Sequence, residues 1–163
     1  SNLGLQAQIK WPNDVVLNGK KLVGILTEMS AQMNYIEYLV TGIGINANLR
    51  EFPEELADKA TSLQKEIGHK VNRSALIAEC MKKIEENYEI FVKTQDLSGL
   101  MAAYQEVLVN QDQQVRVLEP GHEYTGVARG INAMGELLVE KEDGTITEVY
   151  AGEVSVRGLY GYV

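Results

Sequence analysis

Three charged residues near the amino terminus have the types and spacing for chemistry on an anionic substrate. They are Lys10, Asp14 and Lys21, carried on Lys10-Trp11-Pro12-Asn13-Asp14 and Lys20-Lys21-Leu22-Val23-Gly24-Ile25-Leu26. Ammonium groups fixed in a low-dielectric cleft stabilise negative charge far better than in water, and a neighbouring carboxylate can orient an amine or take its proton. Asn18-Gly19, flanked by Val15-Val16-Leu17 and Lys21-Leu22-Val23, is the strongest short signal for a two-residue hairpin turn. That turn predicts Leu17 opposite Lys20, Val16 opposite Lys21, Val15 opposite Leu22 and Asp14 opposite Val23. Alternation then puts Asp14, Val16, Lys21, Val23 and Ile25 on one face. A lysine in that company either reaches solvent from a sheet edge or points into a pocket with Asp14 close to it diagonally, and Lys10 carries the same ambiguity.

The remaining reactive residue types are less informative. Gly42-Ile43-Gly44-Ile45-Asn46-Ala47 satisfies the spacing of a dinucleotide-binding glycine loop, but such a loop must open a helix. Here Asn48 to Phe52 has no helical apolar period and Pro53 follows, so the glycines read instead as places where a ligand or backbone comes close. His69 and His122 fall in separate predicted turns without metal-ligand spacing and read as surface residues. The single cysteine, Cys80, sits among Ile77, Met81 and Ile84, and reads as a buried helix face in a reducing compartment. Neither a nucleophile-elbow serine motif nor a phosphate-binding Walker sequence is present.

The elements that would position these residues begin with an extended stretch, Gln8 to Leu17, followed by two hairpins. The second joins Leu22 to Met29 with Tyr35 to Ile45 through a polar turn. Short helices are expected at Pro53-Glu54-Glu55-Leu56 and over Leu63 to Ile67, stopping at Gly68. Asn72 is the expected N-cap of a long helix reaching about Lys93, whose Ile77, Cys80, Met81, Ile84, Tyr88, Phe91 and Val92 recur at three and four and read as core. Another helix is expected over Leu97 to Val109. After Gln111 come five short strands, Gln114 to Leu118, Tyr124 to Ile131, Leu137 to Glu140, Thr145 to Tyr150 and Val154 to Leu159, broken by turn residues. So many short strands suggest a small closed barrel. The domain boundary is placed near 110–113, giving domains 1–110 and 111–163.

Composition constrains the function class. The chain has 163 residues, 45% apolar and 23% charged, which excludes collagen-like and disordered classes. No apolar run approaches the roughly 20 residues that cross a bilayer, and no signal-peptide pattern opens the chain, so a cytoplasmic location without membrane contact is expected. Net charge is −8, so nucleic-acid binding through this polypeptide is not expected. Ser1-Asn2 resembles a residue pair left by tag removal, and the chain lacks an initiator Met.

The strings Lys10-Trp11-Pro12-Asn13-Asp14-Val15, Lys20-Lys21-Leu22-Val23-Gly24-Ile25-Leu26-Thr27-Glu28 and Gly42-Ile43-Gly44-Ile45-Asn46, at these spacings, strongly resemble biotin protein ligase. The likeness continues through a helical segment to Gly152-Glu153-Val154-Ser155-Val156-Arg157, similar to the end of that family's SH3-like carboxy-terminal domain. The family's glycine- and arginine-rich loop and its upstream strands are absent, so the chain resembles the carboxy-terminal portion of a ligase-repressor. The fold this implies is α+β, part of a mixed-sheet catalytic domain of the class II aminoacyl-tRNA synthetase and biotin ligase type, followed by a small SH3-like β-barrel.

By the same resemblance, the parent activates biotin with ATP and Mg2+ to biotinyl-5′-AMP and transfers biotin to a lysine of a biotin carboxyl carrier protein, and the piece alone is expected to be weak or inactive. Lys21 would contact the biotin carboxylate and the acyl-phosphate oxygens, Lys10 the phosphate region, and Asp14 would position Mg-ATP or the acceptor lysine. Gly24, Ile25 and Leu26 would line the biotin and adenylate sites, Gly42 would permit close approach, and Asn46 would face the adenine. Glu153 and Arg157 would bring the barrel to the nucleotide. A homodimer is an expected partner state, and a missing winged helix could give the parent DNA binding. Two other readings stay open, a non-catalytic dimerisation or carrier-docking module and a relative of lipoate ligase.

Overall fold

The Asn18-Gly19 turn forms as its sequence dictates. Asn18 has φ 52° and Gly19 φ 73°, the left-handed pair that lets a two-residue turn follow the twist of its strands. The computed structural model describes residues 4–119, 121–151 and 155–158. The chain folds as two units, Ser1–Ala7 with Asn13–Val71, and Gln8–Pro12 with Asn72–Val163.

In the second unit, β1 (Gln8–Lys10) leads into a turn at 11–13 that contains a cis Trp11–Pro12 bond. The extended stretch expected from Gln8 to Leu17 is therefore two strands, the other being β2 (Asp14–Leu17) in the first unit. There β2 pairs antiparallel with β3 (Lys20–Gln32), which pairs antiparallel with β4 (Tyr35–Ile45).

The register between β2 and β3 departs from the simple hairpin. Leu17 faces Lys20 and Val16 faces Lys21 as expected, but Val15 faces Val23 and Asp14 faces Gly24, because Leu22 is an extra residue in a β-bulge. The cause is a competing segment. Lys21 N–H donates to the Lys59 carbonyl (2.8 Å), the Lys21 carbonyl accepts from Thr61 N–H (2.9 Å), and Lys21 and Ala60 form a parallel bridge. A residue whose backbone is claimed by a second strand disrupts its own ladder locally, which is what a bulge does.

Residues 59–61 are held in turn by α1 (Leu63–Ile67). The Ser62 side chain caps this helix by accepting from Lys65 N–H, and Gly68 ends it at φ 83°. A 3₁₀ turn at Glu54–Leu56 precedes it. The loop beyond β4 is tied back as well, with Asn46 N–H donating to Leu22 and Leu63 N–H donating to Asn46.

In the second unit, α2 (Arg73–Thr94) starts at Asn72, whose side chain accepts from Ala75 N–H at 3.1 Å. Its apolar stripe forms as the periodicity predicts but is not core. Ile77, Met81, Ile84, Tyr88, Phe91 and Val92 are exposed, and Cys80 is half-buried. Periodicity marks a face that can be buried, without supplying what buries it. The helix expected over Leu97 to Val109 is limited to α3 (Met101–Glu106), with turns on either side.

The last five strands are β5 (Gln114–Glu119), β6 (His122–Ile131), β7 (Leu137–Glu140), β8 (Ile146–Val149) and β9 (Ser155–Gly158). They form an antiparallel sheet in the order β8-β7-β6-β5-β9, with no β8–β9 ladder closing it among the described residues. Val115, Val117, Ala128, Ile131, Leu137 and Val139 alternate onto its buried face together with Trp11, whose Nε1–H donates to the Gly135 carbonyl at 2.9 Å. Burial beside this core pushes the Tyr104 phenol up to about 12. No helix of the described residues is long and apolar enough to cross a membrane.

Candidate functional site

The site in the first unit follows from the bulge. Strict alternation would place Lys21 and Gly24 on opposite faces. The extra residue Leu22 turns the Lys21 side chain so that it lies over Gly24 instead. A Cβ added at Gly24 would meet Lys21 Cε at 3.0 Å, Lys21 Nζ at 3.1 Å and Asp14 Oδ1 at 3.8 Å. Asp14 faces Gly24 across the ladder, and Lys21 Nζ reaches its Oδ1 at 2.6 Å. The pair is asymmetric in exposure, with the carboxylate side chain 9% accessible and the lysine side chain 42%. The carboxylate is thus anchored while the ammonium keeps a free approach from solvent.

The sheet beside this pair is bare. Gly24 faces Gly44 and Leu26 faces Gly42 across the β3–β4 ladder, and directly opposed residues share a face. Asp14, Gly24 and Gly44 therefore form one cross-strand row, followed by Leu26 and Gly42. A Cβ at Gly44 would lie 3.6 Å from the Gly24 carbonyl oxygen, and one at Gly42 3.7 Å from the Leu26 carbonyl oxygen, so these glycines expose backbone rather than relieve a clash. A flat ligand can lie on such a floor at backbone distance, with an ammonium group at one end.

Of the predicted residues, Lys21, Asp14, Gly24, Leu26 and Gly42 fall on this face. Ile25 is half-buried and locked by Asn13, whose carbonyl accepts from Ile25 N–H and whose Nδ2 donates to the Ile25 carbonyl, each at 2.8 Å. Asn46 lies just past β4, half-buried, its backbone held as described above. Lys10 belongs to the second unit, where it ends β1 and is buried, 6% accessible. Arg157 is on β9 of that unit, exposed and directly opposite Arg116. Glu153 lies outside the described residues. Gly44, Asn13 and Thr61 contribute to the site without having been singled out. Gly44 and Asn13 stood in the Gly-Ile-Gly-Ile-Asn and Lys-Trp-Pro-Asn-Asp strings, whereas Thr61 acts through a backbone partner that no local pattern encodes.

Among the described residues, no group of three or more His, Cys, Asp or Glu side chains could hold a metal ion. Asp14, the carboxylate at the site, is already engaged by Lys21. The arrangement suits an anionic group that accepts from an ammonium, with an apolar or planar remainder lying over glycine.

Comparison with known proteins places both segments of the chain in named families. Residues 2–46 match the biotin/lipoate A/B protein ligase family and residues 112–157 match the biotin protein ligase C terminal domain. The bifunctional ligase/repressor BirA of Bacillus spizizenii is 35% identical over 94% of this chain and 47% of its own length. The biotin--[acetyl-CoA-carboxylase] ligase of Mycobacterium tuberculosis is 30% identical over 90% and 52%. The chain thus spans about half the length of the curated relatives it matches. The solved biotin protein ligase of Aquifex aeolicus, in its apo form, superposes with a TM-score of 0.82 at 34% identity, covering 93% of this chain and 65% of that one. The form in complex with biotin and ATP gives 0.79 at 32%, covering 93% and 62%. With these two segments in order along the sequence and biotin ligase relatives 30–35% identical over most of the chain, the chain belongs to the biotin protein ligase family.

Proposed function

We propose that this chain carries the adenylate-handling floor of an ATP-dependent biotin protein ligase. The biotin carboxylate attacks the α-phosphorus of ATP, releasing pyrophosphate and forming biotinyl-5′-AMP. An acceptor lysine of a biotin carboxyl carrier protein then attacks the acyl carbon, releasing AMP. The observation that carries this reading is the Lys21–Asp14 pair lying over the Gly24 and Gly44 backbone, within the very strings that resemble the family. Two anions must meet in the first step, and an ammonium fixed beside them offsets their repulsion. In the second step the acceptor amine must be neutral. At pH 7, deprotonating a lysine of pKa about 10.4 costs ~4.6 kcal/mol, and Asp14 is placed to accept its hydrogen bond once Lys21 engages the ligand.

Lys10, Asn46, Glu153 and Arg157 are assigned to the nucleotide side on the family resemblance. Mg2+ would travel on the phosphates of ATP, since an ion of this type is usually held by one or two carboxylates plus substrate oxygens, and Asp14 is already paired. The domain boundary near 110–113 is supported by the C-terminal family match beginning at residue 112, and the SH3-like barrel and synthetase-like catalytic fold belong to the same reading. Pairing of two copies along the exposed β4 edge, a cytoplasmic location, and DNA contact made by other parts of a longer chain complete it.

Calorimetry with biotinyl-5′-adenylate tests the assignment. This chain should bind it, and Lys21→Ala should weaken binding by about 10- to 100-fold, the range for a lost hydrogen bond to a charged group. Equal affinity in the variant would overturn the site, and preference for lipoyl-adenylate would overturn the substrate.

A further inference from the structure

Lys21 can act on a ligand only if its backbone is fixed, and two separate pieces of chain fix it: the β2–β3 turn before it and the 59–61 segment beside it. One side chain holds both. Glu66, on α1, accepts from Asn18 Nδ2 at 2.7 Å through Oε2 and from the Thr61 hydroxyl through Oε1. Asn18 is the first residue of the turn, three positions before Lys21, and holds a left-handed φ. Thr61 is 1% accessible and donates its own N–H to the Lys21 carbonyl. The two carboxylate oxygens of Glu66 therefore bracket the bulge from either side, and α1 carries them as a short rigid arm whose start is capped by Ser62.

We infer that Glu66 is a positioning residue for Lys21, acting through Asn18 and Thr61 to keep the bulge in the register that lays Lys21 over Gly24 and against Asp14. This rests on the proposed role of Lys21 at the adenylate site. A carboxylate suits the task because both partners are donors and both its oxygens accept. The amide of Glu66→Gln keeps one charge-free acceptor for Asn18 Nδ2 and can meet the Thr61 hydroxyl only by reversing that hydrogen bond, so both ties lose the carboxylate's charge. Relaxing either tie lets the turn or the 59–61 segment shift, and a displacement of about 1 Å at Lys21 is enough to cost a positioned group much of its effect.

The test reads Lys21 directly. Competitive acylation of the native chain with trace acetic anhydride, resolved by peptide mass spectrometry, compares the amine of Lys21 with those of Lys93 and Lys141. Held against the Asp14 carboxylate at 2.6 Å, the Lys21 amine must leave that partner to be acylated, and Asn18→Gly, Thr61→Val and Glu66→Gln should each speed its labelling several-fold. Lys93 and Lys141 should not change. Asn18→Gly is the decisive variant, because glycine accepts the left-handed φ of that exposed turn position and leaves the fold intact. In parallel, affinity for biotinyl-5′-adenylate should fall by about tenfold, ~1.4 kcal/mol, for loss of one charge-assisted hydrogen bond.

Unchanged Lys21 labelling in Asn18→Gly and Glu66→Gln, with both melting as the parent does, would overturn the inference. Faster labelling of all three lysines would overturn it too, since that reports loosening of the whole chain. Selective Lys21 labelling together with no adenylate binding by the unmodified chain would uphold Glu66 as the clamp and remove the ligase reading instead.

Discussion

Replacing Gly24 by Ala separates site geometry from stability more cleanly than any other single change. The added methyl would sit 3.0 Å from Lys21 Cε and 3.1 Å from Nζ. Unstrained carbon contacts lie at about 3.5–4.0 Å, so the lysine must withdraw by roughly 0.5–1 Å. The obstructing atoms are the far end of a flexible chain that is 42% accessible, so the lysine moves and the backbone does not. Folding stability should then change by no more than about 1 kcal/mol in either direction, because restriction of the unfolded chain by alanine opposes the weakened contact of Asp14. The displaced ammonium loses its 2.6 Å contact with Asp14 and its station beside the ligand, so affinity for biotinyl-5′-adenylate should drop by about 10- to 100-fold. Calorimetry gives the affinity and urea unfolding gives the stability. Undiminished affinity would show that Lys21 over Gly24 is not the binding arrangement. A loss of stability of several kcal/mol would show that the backbone, not the side chain, gives way.

The same substitution at Gly126 should behave in the opposite sense, since its Cβ would fall 2.5 Å from the Glu140 carbonyl oxygen and 2.6 Å from Val139 Cγ1, and a paired strand cannot retreat. Gly126→Ala should cost about 3 kcal/mol or more, read as an early urea midpoint. For Tyr104, the neutral phenol is favoured by the fold, so its stabilising contribution is complete below pH 10 and lost as pH rises from 10 to 12, the unfolded chain releasing its proton first. Tyr104→Phe should flatten that alkaline loss, a difference of up to about 2 kcal/mol between unfolding measured at pH 9 and at pH 12. Ile84→Asp on the exposed face of α2 should change the melting free energy by no more than about 0.5 kcal/mol in this chain, whereas the same change in a buried stripe would unfold it.

Much of the fold was legible locally. The Asn18-Gly19 turn, the caps Ser62 and Asn72, the stop at Gly68 and the last five strands are set by residues within a few positions of one another. The site was legible as a string of residues but not as a geometry. The Leu22 bulge depends on residues 59–61, and an alternating pattern cannot register a strand that bonds to Lys21 from so far along the chain. Faces assigned by strict alternation therefore separated Lys21 from Gly24, the two residues that the bulge brings into contact. Exposure of α2 was illegible for a different reason. Its Ile77, Met81 and Ile84 repeat fixes which side is apolar, while burial depends on what other chain lies against it.

The tie between Lys21 and Thr61 also sets a timetable. The partner that fixes the lysine follows it by about 40 residues. At ~5–20 residues per second, a ribosome needs roughly 2–8 s to deliver that partner after Lys21 itself is made. The hairpin around Asn18-Gly19 can close within microseconds of its synthesis. The backbone tie that accompanies the bulge can form only once residues 59–61 have been made. The nascent protein thus carries its signature motif for seconds before it carries a site, and a ligand that binds only the bulged register would stabilise that register over any other.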